Sequence, residues 1–308
     1  MDKYKIIVAY DFHELSHAAL KQSYELAQFV DSGILLVMAL NEDLLNLSDV
    51  FQNEPADKFK KKMTDTMLTE ISERLKEVSD KATAESGVKV DFCIETGKVY
   101  EPILKIATEN RARFILMGRT SKATGKGGFG SVAQRVVEKA SCPVITLSSV
   151  NYMSDFKNVV LPIDLSKQTR EEVFNAISFG LYFDATIHLV SVVMGGISER
   201  KSRIFKKMQS MKKVIEENGV RCTEKLYKKS HLSVHDVILG YTKEINADAL
   251  MIMTHQEINT SDTYIGAVAK QIINDAPLPV ISLTSAAGVQ KQSEKTSYWF
   301  GKLFTTKN

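Results

Sequence analysis

Short apolar runs recur along the chain and are separated by longer polar segments. Most are β-branched and apolar at consecutive positions, which is typical of strands buried on both faces of a sheet. The first half contains KIIVAYD, ILLVMAL, VDFCIE, FILMG and PVITL, and the second contains NVVLPID, TIHLVSVV, CTEKLY, ALMIMT and PVISL.

The segments between these runs have helical spacing. In residues 56–80, apolar side chains recur every three or four positions and so share one helix face. They are Phe59, Met63, Met67, Ile71, Leu75 and Val78. Strands that alternate with helices predict an α/β fold with doubly wound, Rossmann-like domains, each built on a five-stranded parallel sheet.

The two halves of the chain also repeat each other in order and spacing. Asp11 and Asp164 each end a first strand, and GSVAQRVVEKASCPVITL in the first half corresponds to GAVAKQIINDAPLPVISL in the second. The first copy is longer, mostly between its second and third strands. We therefore predict domains at 1–150 and 155–285, followed by an aromatic C-terminal tail at 286–308.

Composition excludes several classes of protein. Of the 308 residues, 44% are hydrophobic and 25% charged, as in globular proteins, and the net charge of +3 predicts no nucleic-acid partner. No apolar run reaches the roughly 18 residues of a membrane span. Cys93, Cys142 and Cys222 lie far apart in apolar segments, which indicates buried thiols. We expect a cytoplasmic protein.

The stretch DFHELSHAAL contains His-Glu-x-x-His, a zinc-protease motif formed by His13, Glu14 and His17. Such a site needs both histidines on a formed helix and a third ligand from elsewhere. Here the first histidine falls at the expected helix start, and the second copy has Ser166 and Arg170 at the two histidine positions. We favour a helix N-terminus and no metal, and keep a zinc hydrolase as a remote alternative.

Ligands of open parallel sheets bind at the carboxyl ends of the strands. The first strand brings Asp11 to that edge, and the fourth brings the glycine-rich segment MGRTSKATGKGGFGS, which also carries Arg119. Glycines let a backbone approach phosphates, and a helix opening at Ser131 offers free N–H donors. The segment is not a Walker loop, because Gly127 stands where that motif needs Ser or Thr.

These residues resemble the universal stress protein family, in a tandem of two domains. ATP-binding members have Gly, two residues, Gly, nine residues, Gly, then Ser or Thr; this chain has Ser121 at the second glycine and a gap one residue short. The resemblance implies nucleotide contacts, to which we add the neighbouring Tyr10, Arg119 and Gly128. The implied contacts are Ala9, Asp11, Val37, Met117, Gly118, Gly130, Ser131 and Val132.

The second copy of the loop has diverged. Met253 and Gln256 stand at its two glycine positions, and Ala267 replaces the serine. Glu257 and Asp262 place negative charge where phosphate would bind. We expect this domain to be a structural partner of the first.

The resemblance implies a stress-response regulator that binds ATP, with or without Mg, in its first domain. No general base stands out, so we expect binding rather than enzymatic turnover, with weak ATPase activity left open. The resemblance also implies a pseudo-dimer of the two domains with paired last strands, and a homodimer stays open. The alternative is a scaffold of the same fold that binds no nucleotide. The basic stretch 200–213 is expected to turn Ile204, Met208 and Met211 inward.

Overall fold

The computed structural model describes residues 4–41, 54–119, 130–150, 155–164, 169–193, 203–228, 231–254 and 266–283. The strands are β1 (Lys5–Ala9), β2 (Gly33–Leu40), β3 (Val90–Thr96), β4 (Phe114–Gly118), β5 (Val144–Leu147), β6 (Asn158–Pro162), β7 (Thr186–Val193), β8 (Arg221–Lys228), β9 (Ala249–Met253) and β10 (Val280–Leu283). The helices are α1 (Glu14–Phe29), α2 (Glu54–Ser86), α3 (Tyr100–Glu109), α4 (Ser131–Lys139), α5 (Thr169–Phe183), α6 (Arg203–Glu217), α7 (Val234–Glu244) and α8 (Ala267–Asp275).

Every apolar run of the sequence forms a strand, which confirms the predicted α/β fold. Contacts divide the chain into two compact units, Met1–Gly118 and Arg119–Asn308. These units are defined by contacts in space, whereas the predicted domains at 1–150 and 155–285 are sequence repeats. The domain boundaries therefore stay a prediction.

The first unit contains four parallel strands in the order β3-β2-β1-β4. Helix α1 packs on β1 and β4, and α2 packs on β3 and contacts α1. The chain moves outward from β1 to β3 and then returns to the other side of β1. Because crossovers are right-handed, α1 and α2 cover one face of the sheet and α3 covers the other.

The second unit repeats this arrangement in the parallel order β8-β7-β6-β9-β10. Helix α5 contacts α6, and α7 contacts α8. This unit also includes β5, which pairs with β10 in antiparallel register, Ile145 opposite Ile281. The last strands of the two sequence repeats are therefore adjacent.

Helix α2 follows its predicted face over only part of its length. Leu75 is fully buried and Ile71 and Val78 are half-buried, but Met67 is 38% exposed. A helix of 33 residues is about 50 Å long, whereas the seven-residue β3 spans about 23 Å. The strand is shorter than the helix, and Met67 lies on the apolar face but is partly exposed.

Helix α6 confirms the prediction for the basic stretch. Its side chains Ile204, Met208 and Met211 are buried. The helix has 15 residues, less than half the length of α2, which accounts for the longer first copy.

The cysteines are all free thiols. Burial raises the pKa of Cys142 and Cys222 to about 12. Cys93 on β3 is only half-buried, contrary to expectation, and its pKa is raised to about 11, chiefly by burial. Among the helices that the structure describes, none combines the length and the apolar character of a membrane span.

Candidate functional site

The candidate site lies in the first unit, where β1 and β4 end beside β2. Ala9 pairs with Val37, and the N–H of Tyr10 donates to the Val37 carbonyl over 3.0 Å. On the other side of β1, Val8 pairs with Leu116, which directly precedes Met117. The strand order reverses between β1 and β4, and sheets of this kind bind ligands at such a point.

Met117 and Gly118 close this edge at the end of β4. Met117 is buried, and Gly118 lies under helix α1. A Cβ added at Gly118 would stand 2.6 Å from the Cβ of Leu15 and 3.3 Å from its carbonyl carbon. The close approach of α1 to β4 therefore requires glycine here, whether or not a ligand binds.

Asp11 follows β1 and is exposed. Its Oδ1 accepts a hydrogen bond from the His13 N–H over 3.0 Å, and its own N–H donates to Ser16 Oγ over 3.3 Å. The carboxylate thus stabilises the start of α1, whose N-cap residue His13 makes no side-chain capping bond. Asp11 keeps an exposed position at the candidate site.

The protease motif is split between the end of the loop and the helix. His13 precedes the first turn, as predicted, and His17 lies one turn into α1. The Tyr10 hydroxyl lies 2.8 Å from Nδ1 of His17. Across the residues that the structure describes, no three His, Cys, Asp or Glu side chains are grouped to hold a metal ion.

Tyr10 lies at the centre of a small aromatic cluster. It is 2% exposed, and its ring contacts Phe12 edge-on at 5.3 Å between centroids and His17 at 5.2 Å. Burial, followed by the negative charge of Asp11, raises the pKa of Tyr10 to about 12. The buried ring of Tyr10 packs against Phe12 and His17, and its predicted nucleotide contact stays a prediction.

Two residues at this edge were missed from the sequence. Phe12 has a positive φ of 65°, which is rare for a bulky side chain. Arg74 of α2 lies over the Phe12 ring, with its Cζ 4.3 Å from the centroid. No local motif connects two residues so far apart in the chain, so only the fold reveals this pair.

The other predicted contacts belong to the second unit. Gly130 is the N-cap of α4, and Ser131 and Val132 form its first turn, with Ser131 exposed. These positions confirm that a helix opens after the glycine-rich segment. Gly128 lies outside the described residues, as does the rest of 120–129.

Arg119 needs a correction. Its guanidinium is 1% exposed and donates to the carbonyl oxygens of Ala276 and Leu278. Burial lowers the pKa of Arg119 to about 10. Because its guanidinium is bonded to two backbone carbonyls, we assign Arg119 a structural role and remove it from the candidate site.

The second unit contains the corresponding edge at the ends of β6 and β9. The Ile163 N–H donates to the Val190 carbonyl over 2.8 Å, as Tyr10 does to Val37 in the first unit. Asp164 follows and is exposed, but its carbonyl oxygen accepts a hydrogen bond from Lys207 Nζ over 2.7 Å. Ala267 opens α8, while Gln256, Glu257 and Asp262 lie outside the described residues.

The sequence model of the Universal stress protein family matches residues 4–148 and again residues 155–283. The chain belongs to the universal stress protein family. Two matches in succession make it a tandem member, and they confirm both the resemblance and the doubly wound fold class.

Relatives of known sequence cover one half of this universal stress protein. One universal stress protein of Methanocaldococcus jannaschii is 25% identical over 156 residues, covering 48% of this chain and 96% of the relative. A second from the same organism is 29% identical over 145 residues, covering 46% and 81%. Single relatives of this size correspond to one repeat of the tandem.

Solved structures extend the likeness to the whole tandem universal stress protein. A universal stress protein from Archaeoglobus fulgidus has a TM-score of 0.69 at 20% identity, covering 92% of this chain and 99% of its own. A structure from Pseudomonas aeruginosa, described as a putative universal stress protein, has a TM-score of 0.61 at 14% identity, covering 91% and 92%. At these identities the likeness establishes the fold.

Proposed function

We propose that this universal stress protein binds ATP or a related adenine nucleotide in its first half and acts as a stress-response regulator through that binding. One observation supports the proposal most strongly: the exposed Asp11 carboxylate stands at the carboxyl end of β1, where the strand order of the first unit reverses. A carboxylate at such an edge accepts hydrogen bonds from a ribose hydroxyl or an adenine amino group.

The neighbouring residues suit an adenine ring. Val37 and Met117 are apolar and lie beside Ala9, where the backbone at the end of β1 offers hydrogen-bonding groups for the edge of a base. The sequence adds the phosphate contacts, which we propose for Gly128, Gly130, Ser131 and Val132 at the opening of α4. Helix N-termini after glycine-rich loops bind phosphate through free N–H groups, and a Mg ion would accompany ATP there.

We propose binding without efficient turnover. Asp11 is proposed to accept hydrogen bonds from the ribose or the adenine, so it is not assigned the role of a base that takes a proton from water. A ligand that binds only the folded, closed form shifts the population toward that form without chemistry. Regulation would then depend on nucleotide occupancy.

The second half would support the first without binding a nucleotide. At the end of β9, Met253 replaces the glycine, and Thr254 donates its hydroxyl to the Leu283 carbonyl over 3.0 Å. Its loop also carries the acidic Glu257 and Asp262. Like charges would repel phosphate there.

A scaffold that binds no nucleotide is the second candidate. Gly118 is explained by the packing of Leu15, and Arg119 by its bonds to backbone carbonyls. Two residues of the glycine-rich segment therefore have structural reasons that need no ligand. The scaffold would use the same fold as a surface for partners.

The matched variants Asp11→Asn and Asp164→Asn test the proposal. Asparagine keeps the side-chain oxygen that accepts from His13 and loses only the charge, so folding should be preserved. We expect Mg-ATP to raise the melting temperature of the wild type by several °C, since saturation at about 100 times Kd contributes about 2.7 kcal/mol. Asp11→Asn should weaken binding by about tenfold, and Asp164→Asn should leave it unchanged.

The measurement is the melting temperature across an ATP titration of the full chain. Absence of any stabilisation of the wild type by millimolar Mg-ATP would reject the nucleotide proposal and favour the scaffold. Equal losses in the two variants would show that the second half binds as well.

A further inference from the structure

The connection from β1 to α1 has a backbone conformation that its sequence does not favour. Phe12, directly after Asp11, adopts φ 65°, in the left-handed region that glycine and asparagine occupy far more readily. Strained backbone persists where surrounding contacts hold it, and it is often found at ligand sites. Here one such contact is Arg74 of α2, which lies over the Phe12 ring.

The position of Arg74 is fixed by the packing of helix α2. The adjacent Leu75 is fully buried against the unit's core, and Arg74 itself is exposed with its Cζ 4.3 Å from the Phe12 centroid. Within the described residues, the guanidinium makes no ion pair and no hydrogen bond. When one face of a guanidinium lies on an aromatic ring, the N–H donors at its edge still point outward. They can bind an acceptor that lies in the plane of the guanidinium.

A basic side chain of the second unit offers a comparison. Lys207 lies on α6, the helix between the second and third strands of its repeat, as Arg74 lies on α2 in the first. Lys207 reaches the residue that ends the first strand of its own repeat, because its Nζ donates to the Asp164 carbonyl. Each repeat therefore brings a basic side chain from this helix to the connection after its first strand, onto the Phe12 ring in the first and onto the Asp164 carbonyl in the second.

We propose that Arg74 is a nucleotide-binding residue whose guanidinium contacts a phosphate group of the ligand. This inference rests on the proposed nucleotide function. Phosphate is the acceptor that fits, because the guanidinium fork matches its oxygens in plane and its charge offsets the repulsion between phosphate and the exposed Asp11 carboxylate. Phe12 then serves to position Arg74.

The test compares ATP with adenosine, which lacks phosphate, by calorimetric titration of the full chain. The variants are Arg74→Gln, Arg74→Lys and, as the matched control, Lys76→Gln, which removes the same charge from an exposed position two residues along the same helix. We expect Arg74→Gln to weaken ATP binding by about tenfold and to leave adenosine binding unchanged. Its ATP affinity should also depend less on salt.

The remaining variants separate a binding role from a structural one. Arg74→Lys should retain part of the preference for ATP, and Lys76→Gln should behave as wild type. An equal loss of ATP and adenosine affinity in both Arg74 variants would show that Arg74 only holds the turn, and unchanged ATP affinity in Arg74→Gln would reject the contact.

The wild type distinguishes this inference from the proposed function. Wild-type protein that binds ATP while Arg74→Gln binds it equally well would overturn the inference alone. Wild-type protein that binds neither ligand would overturn both.

Discussion

Gly118 and Arg119 stand at the end of β4, where the family motif leads one to expect nucleotide contacts, yet each has a packing role. A side chain at Gly118 would collide with Leu15 on α1, and Arg119 is buried on the carbonyls of Ala276 and Leu278. A motif read from sequence therefore mixes residues that a ligand would need with residues that the fold needs. The structure separates the two groups by showing what each side chain contacts.

Gly118→Ala should lower the free energy of unfolding by about 1–3 kcal/mol, because the added methyl group overpacks the α1–β4 contact. Gly240→Ala is the matched control: it lies in α7 with no atom within 4 Å of the new Cβ. That change should be neutral or raise the free energy of unfolding by up to about 1 kcal/mol. Chemical denaturation of both variants measures the difference. Unchanged stability of Gly118→Ala with lost nucleotide binding would instead assign this glycine to the ligand.

The sequence predicts the backbone positions at the candidate site but not all of the side chains that lie there. Asp11 and Val37 could be predicted, since Asp11 follows the first apolar run and Val37 lies in the second, on a neighbouring strand. The pairing of Phe12 with Arg74 could not, because α2 crosses the turn only in the folded unit. Arg119 was misassigned for a related reason: sequence does not show which way a side chain points.

The helices and strands were predictable because their hydrophobic periods differ. All the strands appeared as apolar runs, and α6 turned Ile204, Met208 and Met211 inward as its spacing predicted. Helix α2 shows the limit of this reasoning, because Met67 lies on the apolar face and is still exposed. Spacing tells which side of a helix is apolar, but not how far the sheet beneath it extends.

Met208→Ala tests the packing of α6. Met208 is fully buried, so its loss should lower the free energy of unfolding by about 2–5 kcal/mol through lost transfer energy and a cavity. Val214→Ala, on the same helix but 41% exposed, should change it by less than about 1 kcal/mol. Urea denaturation monitored by circular dichroism compares the two. Equal effects would mean that α6 does not pack through the face assigned here.

At the scale of the whole molecule, the tandem repeat was predictable from ordered matches between the halves, and the family match covers both. The division into compact units after Gly118 was not, because it depends on β5 pairing with β10. The two halves differ at the end of their first strands. The first has an exposed Asp11 and a guanidinium over the ring of the adjacent Phe12, whereas in the second Lys207 is bonded to the Asp164 backbone.

The number of nucleotides bound per chain tests the central claim most directly. Calorimetric titration of the nucleotide-stripped full chain with Mg-ATP should give one site per chain, because only the first half is proposed to bind. Two sites per chain would contradict the structural role assigned to the second half. The nucleotide function itself would be contradicted if millimolar ATP gave no heat of binding and the protein retained no ATP, ADP or AMP in an equilibrium dialysis.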